Sequence, residues 1–491
     1  MSEQNLGAQV RTAFRWELLS KSINILLYMI TSIVLARLLL PDDFGIVAMA
    51  SIVTGLVAVF QSLGLDQALV QRDQISKEHI QAVFWSTMVL AVLLYAAVYF
   101  LAPSLAQLFH EPRIIQVLRV IGLTFILAPF CVVPRALLQR KLDFRTPLFA
   151  GLIGSACYGL VGIVLALSGY GYWALVFALV VLECVQTIAL CILTRYLPPL
   201  VPAFRSIRDL WGFGTGVMMS SVGYYIASRI DYFVIGRRLD SNALGLYTRA
   251  YQFISYPAVL AGMISPVFLP AFSRMQQDLP RMRSAYGRVL TLLAMLFFPV
   301  LTIAVIVAPE FIPLVLGEQW TPSVVPTQVL VFLGMFEIIR RPTEAVLKAS
   351  GQVYQMAWRQ FLYSALLGIG AWFAAPHGIV AVAAVVACVG VLHAILISHL
   401  VWLSLDFGIT GFALAFRGPT LVMLATATVG VVCRYCVLSE GYGGATILVA
   451  TVLCATISGF RATLAMPLPE MRDSVRELVA FVRREVGAHA G

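Results

Sequence analysis

Apolar residues run along this chain in about fourteen blocks, separated by short turns that carry Pro, Gly and charged residues. A helix needs roughly 20 apolar residues to cross a bilayer. Each block therefore predicts a membrane-spanning helix: 16–40, 44–65, 81–102, 114–138, 147–168, 172–194, 210–239, 243–272, 285–308, 323–348, 355–374, 378–403, 413–438 and 443–465. The fourth span contains prolines and the tenth carries several charges.

The first and seventh spans carry polar stripes. In the first, Glu17, Lys21, Asn24, Tyr28 and Thr31 recur at steps of four, three, four and three, which is one face of an α-helix. In the seventh, Ser221, Tyr224, Ser228 and Asp231 stand 200 positions after Lys21, Asn24, Tyr28 and Thr31. Val34 and Val234, Arg37 and Arg237, Leu39 and Leu239, Gly45 and Gly245, and Ala50 and Ala250 match at the same offset without a gap. An unsatisfied polar group in hydrocarbon costs several kcal/mol, so neither stripe should face lipid. The stripes either line a wet cavity between two halves or join helices by interhelical hydrogen bonds. Charge at Lys21 and Asp231 favours the cavity.

Six spans separate the two copies, so they share one orientation, and a parallel repeat binds its substrate between the halves. The expected fold class is an all-α integral membrane protein with about 14 transmembrane helices. Two pseudo-symmetric six-helix lobes surround a central cavity, and two additional helices follow. The expected division is an N-lobe at 1–195, a Pro-rich basic linker at 196–209, a C-lobe at 210–404, two further spans at 405–466 and a tail at 467–491.

Composition agrees with a polytopic protein. Of the 491 residues, 60% are hydrophobic and 12% charged, about half the charged share of a soluble domain. The net charge of +10 would suggest nucleic acid for a soluble chain. Here most Lys and Arg fall in alternate turns, among them Arg11, Arg15, Arg72, Arg140, Lys141, Arg205, Arg281 and Arg461. By the positive-inside rule this puts both termini in the cytoplasm. Cys433 and Cys436 sit in an apolar run with no second pair, which reads as buried thiols and not a metal site.

The sequence shows no phosphate-binding loop, no nucleophile elbow and no zinc-protease motif. No catalytic group, metal or cofactor is expected, and energy would come from an ion gradient or a partner. Charge inside the spans is the unusual chemistry, because each such group is costly in the bilayer. Lys21, Arg229 and Arg249 form a cationic set suited to an anion such as phosphate. Glu17, Glu337, Arg340, Arg341 and Glu344 are candidates for coupling or gating. The competing reading of the tenth span has its charges pairing with one another and reaching the cytoplasmic interface. Tyr28, Tyr224, Tyr225, Tyr232, Tyr247 and Tyr251 could meet sugar rings, with an interfacial belt as the alternative for Tyr247 and Tyr251.

The stretch ARLLLPDDFGIVAMASIVTGLVAVFQSLGLDQALVQR (36–72) and its echo DYFVIGRRLDSNALGLYTRAYQFISYP (231–257) resemble the polysaccharide-transporter family. These are the Wzx-type flippases of lipid-linked oligosaccharides in the MOP exporter superfamily. The resemblance covers the first twelve spans. It implies a bacterial inner-membrane flippase that works by alternating access in a cationic cavity. The implied substrate is an undecaprenyl-pyrophosphate-linked oligosaccharide, moved from the cytoplasmic to the periplasmic leaflet for exopolysaccharide or lipopolysaccharide synthesis. By position it assigns Lys21 and Arg229 to the pyrophosphate, to which Arg249 is added here, with Asn24, Tyr28, Thr31, Tyr224, Ser228 and Asp231 lining the cavity. Arg37 and Arg237 match a family arginine that reads as structural. Membrane lipid, a polymerase and a chain-length regulator are the implied partners, and nucleic acid is not. A MATE-like multidrug antiporter shares this fold, but would want a buried acid in the first lobe. A membrane polysaccharide polymerase would want a long outer loop. Asp42 and Asp43 after Pro41 read as a helix-capping turn.

Overall fold

The structure is a computed structural model that describes residues 3–61, 64–72, 75–141, 143–199, 201–202 and 208–465. Within those ranges the side chains of some helical residues, including Glu17 and Lys21, lie outside the described set. All regular structure among the described residues is helical. By internal contacts the chain divides into two compact units, one ending at Gly245 and one beginning at Leu246.

The first unit holds α1 (Glu3–Leu38), α2 (Pro41–Gln61), α3 (Leu65–Gln71), α4 (Lys77–Phe109), α5 (Ile114–Gly122), α6 (Ala128–Arg140), α7 (Arg145–Leu167), α8 (Tyr172–Thr194) and α9 (Arg208–Arg238). Helix α7 packs between α1 and α8, while α2 packs against α5, α8 and α9. Local sequence sets several of these boundaries. Ser76 caps α4: its hydroxyl accepts from the His79 N–H, and the His79 ring accepts from the Ser76 N–H at 3.2 Å. Gly171 opens α8 at φ 54°, a left-handed backbone that glycine adopts without strain.

The predicted fourth span is one crossing with a break. A 3-10 segment, Leu123–Leu127, separates α5 from α6. Pro129, the second residue of α6, has no N–H to continue a helical ladder from α5. The Phe125 carbonyl accepts from the Ala128 N–H and also from the Gln61 amide, which ties α2 to the break.

The second unit holds α10 (Ser241–Arg274, which starts at the boundary), α11 (Leu279–Leu316), α12 (Val324–Ala349), α13 (Val353–Ala374), α14 (Ile379–Leu405), α15 (Ile409–Ser439) and α16 (Gly444–Ala465). Helix α14 packs against α12 and α13. The last two helices, α15 and α16, pack against each other and both against α11.

Among the described residues, ten helices are long and apolar enough to cross a membrane, fewer than the fourteen that the sequence predicts. A helix overlies each of the other four predicted spans: α1, α9, α10 and α13. These four carry charged or amide groups inside the apolar run. They are Lys21 in α1, Arg229 and Asp231 in α9, Arg249 and Gln252 in α10, and Arg359 and Gln360 in α13. In α1 the apolar part is Ser22–Leu38.

The sequence repeat keeps its register in the backbone. Helix α1 ends at Leu38 and α9 at Arg238, and α2 starts at Pro41 and α10 at Ser241. The Leu39 N–H donates to Leu35 and the Leu239 N–H to Ile235, both at 2.9 Å. The two helix starts meet reciprocally: Gly45 lies against the Ser241 carbonyl and Gly245 against the Pro41 carbonyl. Only a residue without Cβ permits so close an approach of backbones.

Candidate functional site

The polar face of α1 is partly engaged by α7. The Asn24 amide oxygen accepts from the Ser155 hydroxyl at 3.0 Å. The Tyr28 ring stacks on Tyr158 with centroids 6.3 Å apart. Buried Thr31 lies against Gly159, where a Cβ would stand 2.8 Å from its hydroxyl. These contacts are the interhelical bonds that the sequence left as the competing reading. Tyr28 nevertheless keeps half of its surface exposed.

The matching face of α9 is more open. Tyr224, Ser228 and Arg229 are exposed, whereas Asp231 and Tyr232 are buried. The Arg229 guanidinium sits 4.8 Å above the Tyr232 ring centre, a cation–π arrangement that holds the cation in place. Tyr28 lies within electrostatic reach of the buried Tyr232. Tyr225 points elsewhere: its hydroxyl stands 3.0 and 2.9 Å from the Ser51 and Ile52 carbonyls of α2 and joins the two helices.

Of the three predicted phosphate ligands, only Arg229 is an exposed described side chain. Lys21 lies on α1 with its side chain outside the described residues. Arg249 is 7% exposed. It donates to the Gln252 amide oxygen at 2.6 Å and lies 5.6 Å from the Trp320 ring centre, in the second unit. Tyr247 is fully buried and packs on Tyr251 with centroids 6.3 Å apart, so it does not belong to an interfacial belt.

In α12 the predicted gating charges form a ladder. Arg340 donates to Glu337 at 2.7 Å, one turn before it, and bonds Glu344, one turn after it. This is the internal pairing that the sequence offered as its alternative. Glu17 belongs with Lys21 outside the described side chains.

One further constellation was not foreseen. At the start of α2, Asp43 accepts from the Leu40 N–H at 3.0 Å, which is the capping role expected of it. Asp42 faces away, and its two oxygens receive Arg113 at 2.7 and 3.2 Å. Arg113 also grips Glu111 at 2.7 Å, and Ser241 donates to Asp42. Hydrogen bonds from Arg113 hold the Glu111 carboxyl below its ordinary range, and the same two carboxylates push the guanidinium further up. Nearby, Arg237 stands 2.8 Å from the His110 ring, a structural contact for an arginine of the repeat. Asp42 and Arg113 are 71 residues apart, and nothing in the local pattern pairs them.

A family model described as polysaccharide biosynthesis protein matches residues 34–325. The chain is 24% identical over 376 residues to the lipopolysaccharide biosynthesis protein WzxC of Escherichia coli (strain K12), covering 74% of this chain and 76% of WzxC. It is 29% identical to the succinoglycan biosynthesis transport protein ExoT of Rhizobium meliloti (strain 1021), over 62% of each. To the teichuronic acid biosynthesis protein TuaB of Bacillus subtilis (strain 168) it is 24% identical, over 87% of this chain and 89% of TuaB. Among solved structures, the lipid II flippase MurJ in an inward closed conformation matches with a TM-score of 0.72 at 11% identity, covering 93% of this chain and 99% of MurJ. An inward-facing MATE multidrug transporter of the MOP superfamily matches with a TM-score of 0.60 at 14% identity, over 77% and 94%. These two likenesses establish the fold. The family match spans more than half of the sequence, and the chain, a polytopic membrane protein with the MOP fold, belongs to this family of polysaccharide biosynthesis proteins.

Proposed function

We propose that this protein is a flippase for lipid-linked oligosaccharide repeat units. It carries undecaprenyl-pyrophosphate-linked glycans from the cytoplasmic to the periplasmic leaflet by alternating access. The observation that carries the reading is the exposed Arg229 above Tyr232, with exposed Tyr224 and Ser228 on the same helix and exposed Tyr28 on the polar face of α1. An exposed guanidinium and tyrosine rings on a span are costly next to lipid. They suit a ligand that joins an anion to sugars, because arginine bonds phosphate through its planar fork and a tyrosine ring packs on a sugar face. The names of WzxC, ExoT and TuaB place those proteins in polysaccharide biosynthesis, and ExoT's in transport.

In this reading Lys21 and Arg229 hold the pyrophosphate, and Asn24, Tyr28, Tyr224, Ser228 and Asp231 shape the path. Arg249 supports α10 from within the second unit. The chain crosses the bacterial inner membrane fourteen times with both termini cytoplasmic, as two six-helix lobes and two further helices. It hands repeat units to a polymerase and a chain-length regulator.

The test uses a strain with the gene deleted. A membrane-impermeant glycan label on spheroplasts reports the face on which lipid-linked units accumulate. Cytoplasmic accumulation, cleared by the wild-type gene but not by a K21A/R229A variant at equal protein level, supports the proposal. Accumulation of single units on the periplasmic face would make the protein a polymerase, and no accumulation would favour a drug antiporter.

A further inference from the structure

Arg119 is a charged group in a span that neither the repeat nor the Asp42–Arg113–Glu111 cluster uses. It lies on α5, and its guanidinium stacks 4.2 Å from the ring centre of Tyr99 on α4. It makes no ion pair or hydrogen bond among the described residues, and its Nε is buried without a partner. The acids at this end of the first unit are engaged elsewhere. Asp42 and Glu111 both receive Arg113, and Asp43 caps α2. An arginine within a membrane helix ordinarily pairs with an acid or with backbone carbonyls. Arg119 is held by an aromatic ring alone, and no described carboxylate balances its charge.

Tyr99 belongs to an aromatic wall. The Tyr95 ring, one turn deeper, lies 6.1 Å from that of Tyr99 and packs against Gly122 of α5, where a Cβ would stand 3.0 Å from it. Gln116, one turn before Arg119 on the same face of α5, is exposed. Beside them α4 exposes Val92, Leu93, Phe100 and Leu101, side chains as apolar as the lipid tails they meet in a span. The depth suits a head group. Helix α4 has 33 residues, about 50 Å at 1.5 Å each, against a hydrocarbon core of about 30 Å. Centred on the bilayer, its ends reach about 10 Å beyond the core. Arg119 stands about 8 Å along α5 from its first residue, Ile114, and so lies where hydrocarbon gives way to head groups.

We propose that Arg119, Gln116 and Tyr99 form a site for the phosphate of an anionic phospholipid, in the leaflet that faces the α4–α5 turn. In the topology proposed above this is the periplasmic leaflet. A guanidinium bonds phosphate through its planar fork, and the Tyr99 ring keeps that plane in one orientation. The Gln116 amide offers a donor and an acceptor to head-group hydroxyls. A choline or ethanolamine head would bring a second cation beside Arg119, where the carboxylates are already taken and Arg119 covers the Tyr99 face. Phosphatidylglycerol, whose only charge is negative, meets neither obstacle, and its acyl chains lie along the exposed apolar face of α4. Nothing in this site depends on what the protein transports, so the flippase reading can fail and leave it intact.

The experiment is native mass spectrometry of the full-length protein in detergent, titrated with dioleoyl phosphatidylglycerol or dioleoyl phosphatidylcholine. Wild type should bind the first phosphatidylglycerol more tightly than phosphatidylcholine. R119Q should weaken that first binding about tenfold, the loss of one charge-assisted bond pair, and leave phosphatidylcholine unchanged. R119K, with the charge but not the fork, should fall between. R461Q removes the same charge from an exposed position on α16 and should change binding less than about twofold. An equal loss in R461Q would reduce the effect to net charge and overturn the site, as would wild-type binding that is alike for the two lipids. If R119Q does not reach the membrane, R119K and Y99L decide, and phosphatidylglycerol binding unchanged in both overturns the site. Inorganic phosphate that protects wild type but not R119Q from heat, with phosphatidylglycerol binding indifferent to R119Q, would make this a free-anion site and end the lipid assignment.

Discussion

Gly45 lies so close to the carbonyl of Ser241 that a Cβ would overlap it, and Gly245 stands in the same relation to Pro41. The two contacts are reciprocal, as in an isologous interface. A duplicated helix–turn–helix meets its own copy there, and the small residue sits where backbones touch. The atoms in the way are backbone, so they cannot turn aside as a side chain could.

The first prediction follows. G45V should reduce folded protein severely, because overpacking alone costs roughly 1–3 kcal/mol and backbone cannot yield. G245V should do the same. G223A is the control, since Gly223 of α9 has nothing within 4 Å of its would-be Cβ. It should be neutral or stabilising by up to about 1 kcal/mol. Thermal unfolding of purified protein in detergent measures all three. A G45V protein as stable as G223A would show that the close approach does not exist in solution.

The second prediction concerns acid. Glu111 has a folded pKa lowered by hydrogen bonds from Arg113. Its contribution to stability is fully present above the ordinary carboxyl value of 4.5. It is lost as pH falls below that value and through the lower folded one. Unfolding midpoints taken from pH 7 downwards should therefore drop below about 4.5. R113Q should lower the midpoint at pH 7 and flatten the acid limb. The loss at pH 7 should be modest, because Arg113 is 43% exposed and such pairs contribute under about 1 kcal/mol. An unchanged acid limb in R113Q would remove Arg113 as the cause.

Much of this architecture is legible in the sequence because hydropathy and helical spacing are local. The offset that aligns Val34 with Val234 also aligns the helix ends at Leu38 and Arg238. The capping role of Asp43 follows from its place after Pro41. The break at Leu123–Leu127 was hidden, since an apolar run does not reveal where its hydrogen bonds shift, although Pro129 marks the place. Arg249 looked like a ligand because an arginine in a span is costly, but Gln252 and Trp320 occupy it, and Trp320 lies 71 positions along the chain. Arg113 is equally remote from Asp42 along the chain, so no local pattern pairs them.

The third prediction separates helix glue from substrate path on α1. Asn24 accepts from Ser155 at 3.0 Å, and such bonds in membranes average about 0.6 kcal/mol. A double-mutant cycle of N24A and S155A should give a coupling of that size in unfolding experiments. S155A should leave polysaccharide export unchanged. If N24A lowers export well beyond what S155A does, Asn24 serves the path as well as the packing. Equal effects would confine it to packing.

The last prediction concerns Arg229. Its side chain is exposed and rests on the face of buried Tyr232. Its removal should cost little stability, since exposed substitutions usually stay within about 0.5 kcal/mol. Its removal should cost transport if it meets an anionic head group. R229Q keeps a polar side chain but removes the charge and the guanidinium, and should lower export about tenfold or more, the loss expected of one charge-assisted bond pair. R229K restores the charge without the planar fork and should fall between R229Q and wild type. Y232L keeps the charge but removes the ring that orients it, so it should weaken export less than R229Q does. Surface polymer per unit of membrane-inserted protein is the quantity to compare. The ranking wild type, R229K, R229Q identifies a bound anion. Equal export by all three would mean that Arg229 only anchors α9, and the anion would then have to be held by Lys21 or by groups outside the α1 and α9 faces.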